Sequence, residues 1–307
     1  MTDHSIVLVG APMDVGKRRQ GCLMGPDALR TAHLPRVLTD LGHTVLDQGN
    51  VAPTLPTTPL EGPVYAQDAC IAWTHALSEA AQAACALGTP VFMGGDHAIS
   101  LGTVRGVAQH AASQERPLFV LWLDAHSDYH TPHTTSSGHL HGTPVGYLTG
   151  RTGFDGFPAF EHPVPHERIQ MLGLRSVDPA EKAALQATKA SYVDMRQIDE
   201  GGIARPLAAF LDQVARANGL LHVSLDVDFL DPSVAPAVGT TVPGGATIRE
   251  AHLAMEMISD SGLLSALDIV ELNPFLDERG RTAEVMVDLA ASAFGRRVFD
   301  RPTARYH

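Results

Sequence analysis

The stretch Leu118-Phe119-Val120-Leu121-Trp122-Leu123-Asp124-Ala125-His126-Ser127-Asp128 limits the possible folds more than any other part of the chain. Its first half has no polar face, the pattern of a strand covered on both sides at the centre of a parallel sheet. The pattern then switches to Asp124, His126 and Asp128, side chains able to ligate a metal at every second position. Strand geometry continued through them would point all three to one side, roughly 7 Å apart along the backbone. Ionised carboxylates at the end of a hydrophobic strand carry a large desolvation cost, which a bound cation would remove. Taken alone, the same residues also fit a polar loop facing water.

The arrangement recurs. Leu220 to Asp228 is again an apolar strand ending in carboxylates two apart, Asp226 and Asp228. Pro90 to His97 is a third, with Gly94-Gly95 ahead of Asp96 and His97. In open parallel sheets, ligands bind at the carboxyl ends of the strands. Three such ends would gather His97, Asp124, His126, Asp128, Asp226 and Asp228. This set is too large for one ion and suits a pair sharing bridging carboxylates. Carboxylates with added imidazoles favour Mn(II), with Zn, Co or Fe as alternatives, and the lack of a cysteine argues against structural zinc. Two ions about 3.5–4 Å apart can hold a hydroxide between them as a nucleophile at neutral pH, so the expected reaction is hydrolysis of an electrophile that water attacks slowly.

Further residues extend this chemistry. Asp128 could both bind a metal and accept a hydrogen bond from the hydroxide. His141, in Gly138-His139-Leu140-His141-Gly142, is a candidate proton shuttle, since imidazole as a class titrates near neutrality; an ordinary loop histidine is the competing reading. Glu271 ends the buried segment Ser265–Glu271 with no cation nearby in sequence. Either it pairs with a distant arginine, or it is kept for a cationic substrate, because carboxylate and guanidinium pair in bidentate fashion.

The remaining chain alternates strand and helix. Strands are expected at Ser5–Gly10, Thr44–Asp47, Ile169–Leu174, Ser191–Met195 and Leu264–Glu271, besides those above, giving roughly eight. Helices are expected from Gly25, over Tyr65–Leu87, from Ser100, after Asp178, and over Ala204–Asn218, Thr247–Ser261 and Thr282–Phe294. This alternation predicts a mostly parallel sheet with helices on both faces, in one domain spanning 1–307. Gly49–Pro63 reads as a surface loop, and Tyr129–Gly142 as a binding loop. Gly16-Lys17-Arg18-Arg19-Gln20-Gly21 lacks the Gly-Lys-Ser/Thr ending of a phosphate-cradling loop. A formal net charge of −12 excludes a basic nucleic-acid footprint. No segment approaches a membrane span, Ile6–Val9 is too short for a signal peptide, and Cys22, Cys70 and Cys85 form no metal pattern. The expectation is a soluble cytoplasmic protein with reduced thiols.

Three segments carry a resemblance. Gly94-Gly95-Asp96-His97, Asp124-Ala125-His126-Ser127-Asp128 and Ser224-Leu225-Asp226-Val227-Asp228-Phe229-Leu230-Asp231-Pro232 are similar to the signatures of the ureohydrolase family, the arginases, agmatinases and relatives that hydrolyse guanidino compounds to urea and an amine. The similarity runs from Gly25-Pro26 to Glu271-Leu272-Asn273-Pro274. It implies a three-layer α/β/α sandwich, a homotrimer or homohexamer, and two Mn(II) ions per subunit. One ion would be held by His97 and Asp128, the other by His126 and Asp228, with Asp124 and Asp226 bridging. It also implies that Glu271 holds the guanidinium while His141 relays protons.

The loop Thr131–Gly142 resembles the arginase version. This implies that His130, Ser137, His139, Asp178, Glu181 and Thr240 line the substrate site, with Ser137 donating to an α-carboxylate and Asp178 facing an α-ammonium. His130 and His139 stand where arginases typically carry Asn, Ala98 replaces the usual Ser, and Ser176 stands where Asp is common. The expected reaction is therefore hydrolysis of L-arginine to urea and L-ornithine by a metal-bridging hydroxide. Guanidinobutyrate, another ω-guanidino acid or agmatine is the alternative substrate. A zinc deacylase on a related fold and a non-catalytic metal-binding homologue are the more distant readings.

Overall fold

A computed structural model describes residues 5–55 and 62–299. Its eight strands are β1 (Ser5–Ala11), β2 (Thr44–Asn50), β3 (Thr89–Gly94), β4 (Leu118–Leu123), β5 (Ile169–Leu174), β6 (Ser191–Asp194), β7 (Leu220–Asp226) and β8 (Leu264–Val270). They form one sheet in the order β2-β1-β3-β8-β7-β4-β5-β6. Every pairing is parallel. The four adjacent central strands, β3, β8, β7 and β4, are the ones whose ends carry the acidic and histidine residues singled out above.

Alternation along each strand divides the core in two. Phe119, Leu121 and Leu123 of β4 join Leu221, Val223 and Leu225 of β7 on one face, packed on helices Ala204–Arg216, Ile248–Ser261 and Arg281–Ala293. Val120 and Trp122 point the other way, with Phe92, towards Gln67–Cys85 and Ser100–Ser113. Both faces of β4 are buried along its whole length, so its unbroken apolar run is what a central strand between two helical layers requires. The result is the expected three-layer α/β/α sandwich.

The structure differs from the sequence reading at the strand ends. β4 stops at Leu123 and β7 at Asp226, so of the expected ligands on these two strands only Asp226 lies within strand geometry. Each of these ends is closed by an aspartate that bonds the backbone N–H two residues on: Asp124 Oδ1 to His126 N at 2.6 Å, and Asp226 Oδ1 to Asp228 N at 2.8 Å. Asp96 repeats the pattern after β3, with Oδ1 3.0 Å from Ala98 N. A side chain that captures a nearby N–H competes with the sheet ladder and turns the chain. Asp128 and Glu271 then take positive φ, 44° and 67°, which bends their side chains back towards the strand tips.

Helices Leu34–Asp40, Pro144–Leu148 and Met195–Gly201 also lie outside the sequence reading. Met195, expected to end a strand, instead begins a helix, because Asp194 caps Gln197 N at 2.8 Å and Gln197 bonds back to Asp194 N at 3.0 Å. β2 runs on to Asn50, so the expected Gly49–Pro63 loop starts later, and its stretch 56–61 lies outside the described residues, as does the opening Met1–His4.

Gly95, between β3 and His97, sits against the backbone of the β1 exit. A Cβ there would lie 2.1 Å from the Met13 carbonyl oxygen and 2.7 Å from that of Ala11. Gly95→Ala is expected to destabilise the fold by about 1–3 kcal/mol, seen as a lower urea midpoint at unchanged slope. An unchanged midpoint would show that the β1 exit can move aside.

Candidate metal centre

His97 is the pivot of the centre. Its ring stacks on Trp122 with centroids 4.2 Å apart and planes 3° from parallel, and its Nε2 lies 2.8 Å from Ser224 Oγ. Those two contacts, from β4 and β7, fix the ring so that Nδ1 faces the strand tips. There it lies 3.1 Å from Asp124 Oδ2, 3.1 Å from Asp128 Oδ2 and 3.0 Å from Asp226 Oδ2. This buried nitrogen is left without an aligned hydrogen bond to any of them. An imidazole nitrogen ringed by three carboxylate oxygens is a donor set that suits a divalent cation.

A second cluster adjoins the first. His126 Nδ1 is 3.1 Å from Asp228 Oδ2 and 3.4 Å from Asp124 Oδ1. The ligand atoms of His97, Asp124 and Asp226 lie within 4.8 Å of one another, as do those of Asp124, His126 and Asp228. Asp124 therefore belongs to both groups, whereas Asp226, also expected to lie between the two sites, groups only with His97. The six expected ligands are thus brought together, and their chemistry fits a pair of cations.

The surroundings hold these carboxylates from behind. Trp122 Nε1 donates to Asp124 Oδ2 at 3.0 Å, Ala125 N to Asp228 Oδ1 at 3.0 Å, and Thr240 Oγ1 to Asp228 Oδ2 at 3.3 Å. Arg175, which sequence reasoning passed over, donates to the carbonyls of Asp228, Leu230 and Val242. It ties the β7 tip to the Thr240 segment.

Electrostatics follow from the crowding. Burial opposes a charged imidazole, but the carboxylates of Asp124 and Asp228 outweigh it and push His126 up to about 12. Asp124, Asp226 and Asp128 likewise outweigh burial at His97 and hold it well above the ordinary histidine range. Burial, reinforced by Asp124, raises Asp128, and burial with Asp228 raises Asp226.

Glu271 lies beside His97, buried. Its Oε1 accepts from His97 N at 2.9 Å and faces His141 Nδ1 at 3.0 Å. Its Oε2 is ion-paired with Lys17. The partner is distant in sequence as expected, but it is a lysine from the Gly16–Gly21 loop, not an arginine. No local pattern in that loop marks Lys17 as the partner of Glu271. The same loop anchors His141, for Gly16 O accepts from Leu140 N at 2.7 Å and His141 N at 3.2 Å.

The residues expected to line the substrate site fall into two groups. His130 Nε2 lies 3.1 Å from Asp178 Oδ2 and 3.5 Å from Glu181 Oε2. Glu181 is built into the wall, accepting from Ser127 Oγ at 2.7 Å, Tyr129 N at 2.8 Å and Asp178 N at 3.2 Å. Asp178 keeps 60% of its side chain exposed. Across the loop, Ser137 is exposed, its Oγ accepting from His139 N at 3.2 Å, and the His139 ring is 5.8 Å from that of His141.

A parallel α/β/α sheet with paired histidine–carboxylate clusters at its carboxyl edge defines a class of metal-dependent hydrolases. The arginase family model matches residues 4–295. An arginase of Agrobacterium fabrum is 57% identical over 303 residues, covering 97% of this chain and 93% of that protein. One from Brucella melitensis is also 57% identical, covering 97% of this chain and 99% of its own. The crystal structure of a Bacillus subtilis arginase superposes with a TM-score of 0.88 at 34% identity, covering 97% of this chain and all of that one. This chain belongs to the arginase family.

The surrounding carboxylates hold both imidazoles above the ordinary histidine range and so favour their protonated forms, which compete with a cation for the ring nitrogens. Cation affinity is therefore expected to rise with pH between 6.5 and 8.5, by at least about tenfold per unit, in equilibrium dialysis with manganese. A flat profile would mean the ring nitrogens are already neutral.

Proposed function

We propose that this enzyme hydrolyses L-arginine to urea and L-ornithine with two Mn(II) ions, held by His97, Asp124, His126, Asp128, Asp226 and Asp228. The observation that carries the reading is the Asp124 carboxylate shared between the His97 and His126 clusters, with Glu271 beside them. When bound, two divalent cations supply Lewis-acid charge and lower the pKa of a water molecule, giving a nucleophile at neutral pH.

The chain's residues do the rest. Glu271 receives the guanidinium and holds its carbon next to the clusters, converting collision into an oriented encounter. Asp128, against the His97 site, accepts a hydrogen bond from the attacking water and aims it. Water oxygen bonds to the guanidino carbon, the bond from that carbon to the side-chain nitrogen breaks, and the departing nitrogen takes both water protons, one passed on by Asp128 and one relayed by His141, leaving as the ammonium. Water and arginine are thereby fully accounted for as urea and ornithine. Asp178 and Ser137 receive the α-ammonium and α-carboxylate, with His130, His139, Glu181 and Thr240 shaping that end.

A second reading, a guanidino acid without the α-ammonium, is favoured by one contact: Asp178 already faces His130 at 3.1 Å. A panel with manganese separates them, because agmatine lacks arginine's carboxylate and guanidinobutyrate lacks its α-ammonium. Urea release is expected to be fastest from arginine; a preference for guanidinobutyrate would transfer the assignment to that substrate.

We place the enzyme in the cytoplasm, as one catalytic domain over 1–307 that assembles as a homotrimer or homohexamer. Three unpaired cysteines suit a reducing compartment. No helix among the described residues is long and apolar enough to cross a membrane.

Asp128→Asn should lower kcat by about 10²-fold or more while KM changes little, since general-base and orienting groups typically contribute on this scale. Steady-state urea production reads both constants, and retained kcat would remove Asp128 from the mechanism.

A further inference from the structure

Lys17 is 2% exposed and Glu271 1%. Both oxygens of Glu271 are engaged by the protein's own groups: Oε1 by His97 N and His141 Nδ1, Oε2 by the Lys17 ammonium, with Cys22 Sγ at 3.8 Å from the same oxygen. A methyl group on Gly239 would come within 3.3 Å of Lys17 Nζ. Gly239 is itself held by Arg19 Nη1, 3.0 Å from its carbonyl oxygen. The next residue, Thr240, reaches Asp228. The ammonium therefore lies between the carboxylate assigned to the guanidinium and the Gly239–Thr240 segment that reaches Asp228.

We propose that Lys17 sets substrate affinity: a built-in cation that holds Glu271 until a guanidinium competes for it and so determines how tightly that group binds there. The substrate's identity rests on the arginine reading, whereas the Lys17–Glu271 pair does not depend on it. A buried carboxylate left without a counter-charge is strongly destabilising, so Lys17 stabilises the empty site. A guanidinium needs both oxygens for a bidentate pair. It must therefore displace the ammonium from Oε2 or bind beside a like charge. Either route weakens ground-state binding, which raises KM without demanding a change in the chemical step.

The test uses manganese-loaded enzyme with Lys17→Met, Lys17→Gln and Lys17→Arg. Guanidinium chloride, titrated calorimetrically at millimolar concentration, probes the Glu271 end alone. Both neutral variants should bind it at least about tenfold more tightly than the wild type, as expected from removing a like charge at short range, and Lys17→Arg should stay weak. KM for arginine should fall in parallel. Lys17→Gln, which keeps a donor for Oε2, carries the test if Lys17→Met does not fold. Unchanged or weaker guanidinium binding in the folded neutral variants would overturn the proposal, as would a loss of kcat at unchanged KM, which would make Lys17 only a support for Glu271. If no form released urea from any guanidino compound, the arginine reading would fall, and the calorimetric titration would still decide the role of Lys17.

Discussion

The concentration of buried negative charge at one edge of the sheet is the constraint on which the rest depends. Asp96, Asp124, Asp128, Asp226, Asp228 and Glu271 are all buried within the reach of a few strand tips. Carboxylates out of water cannot all ionise without cations or hydrogen bonds to answer them. The chain answers some of them itself. Burial acts to raise Asp124, but His126 and His97 reverse this and hold it below the ordinary range. Burial acts the same way on Glu271, and Lys17 and His141 bring it down. Asp128 and Asp226 are left raised, by burial and by their acidic neighbours. The protein's own charges thus answer Asp124 and Glu271 and leave Asp128 and Asp226 short of positive charge, which is where divalent cations would act.

Such a cluster survives because the scaffold beneath it does not yield. β3, β8, β7 and β4 lie side by side and are covered on both faces. The tips are shaped by the same carboxylates proposed to hold the cations. Asp124 and Asp226 each use one oxygen to bond an N–H two residues ahead, which turns the backbone and leaves the other oxygen for the centre. Asp96 makes the same turn but spends its second oxygen on Gly16 N, at 2.7 Å. That bond draws the Lys17 loop under the site. Three strand exits with one local rule therefore yield two candidate metal ligands and one loop anchor.

This rule explains what the sequence disclosed. Dense apolar runs such as Leu118–Leu123 specify central strands with little ambiguity, and acids at their ends imply convergence, because parallel strands share one carboxyl edge. The same runs misplaced the mechanism of convergence, since period-two alternation was extended through Asp124 to Asp128, where side-chain-to-backbone bonds take over. Short helices such as Pro144–Leu148 were illegible because one and a half turns hold too few residues to show a periodicity. Arg175 and Lys17 stayed hidden for a different reason. Each bonds to groups more than fifty residues away, and no local pattern marks a lone basic residue as a partner for a distant carboxylate or carbonyl.

Lys17 gains meaning when set beside His130. At one end of the site a lysine occupies the carboxylate assigned to a guanidinium; at the other, an imidazole faces Asp178, the carboxylate assigned to an α-ammonium. Both acidic seats are thus met by a side chain of the chain itself. The two ends differ in what displacement costs. Asp178 is largely exposed, so water screens the charge and an incoming ammonium can share it at little cost. Glu271 is enclosed, so its exchange of one cation for another takes place where charges interact strongly. The guanidinium end therefore sets affinity for every guanidino compound alike, while the choice among them falls on the Asp178 end, where His130 stands.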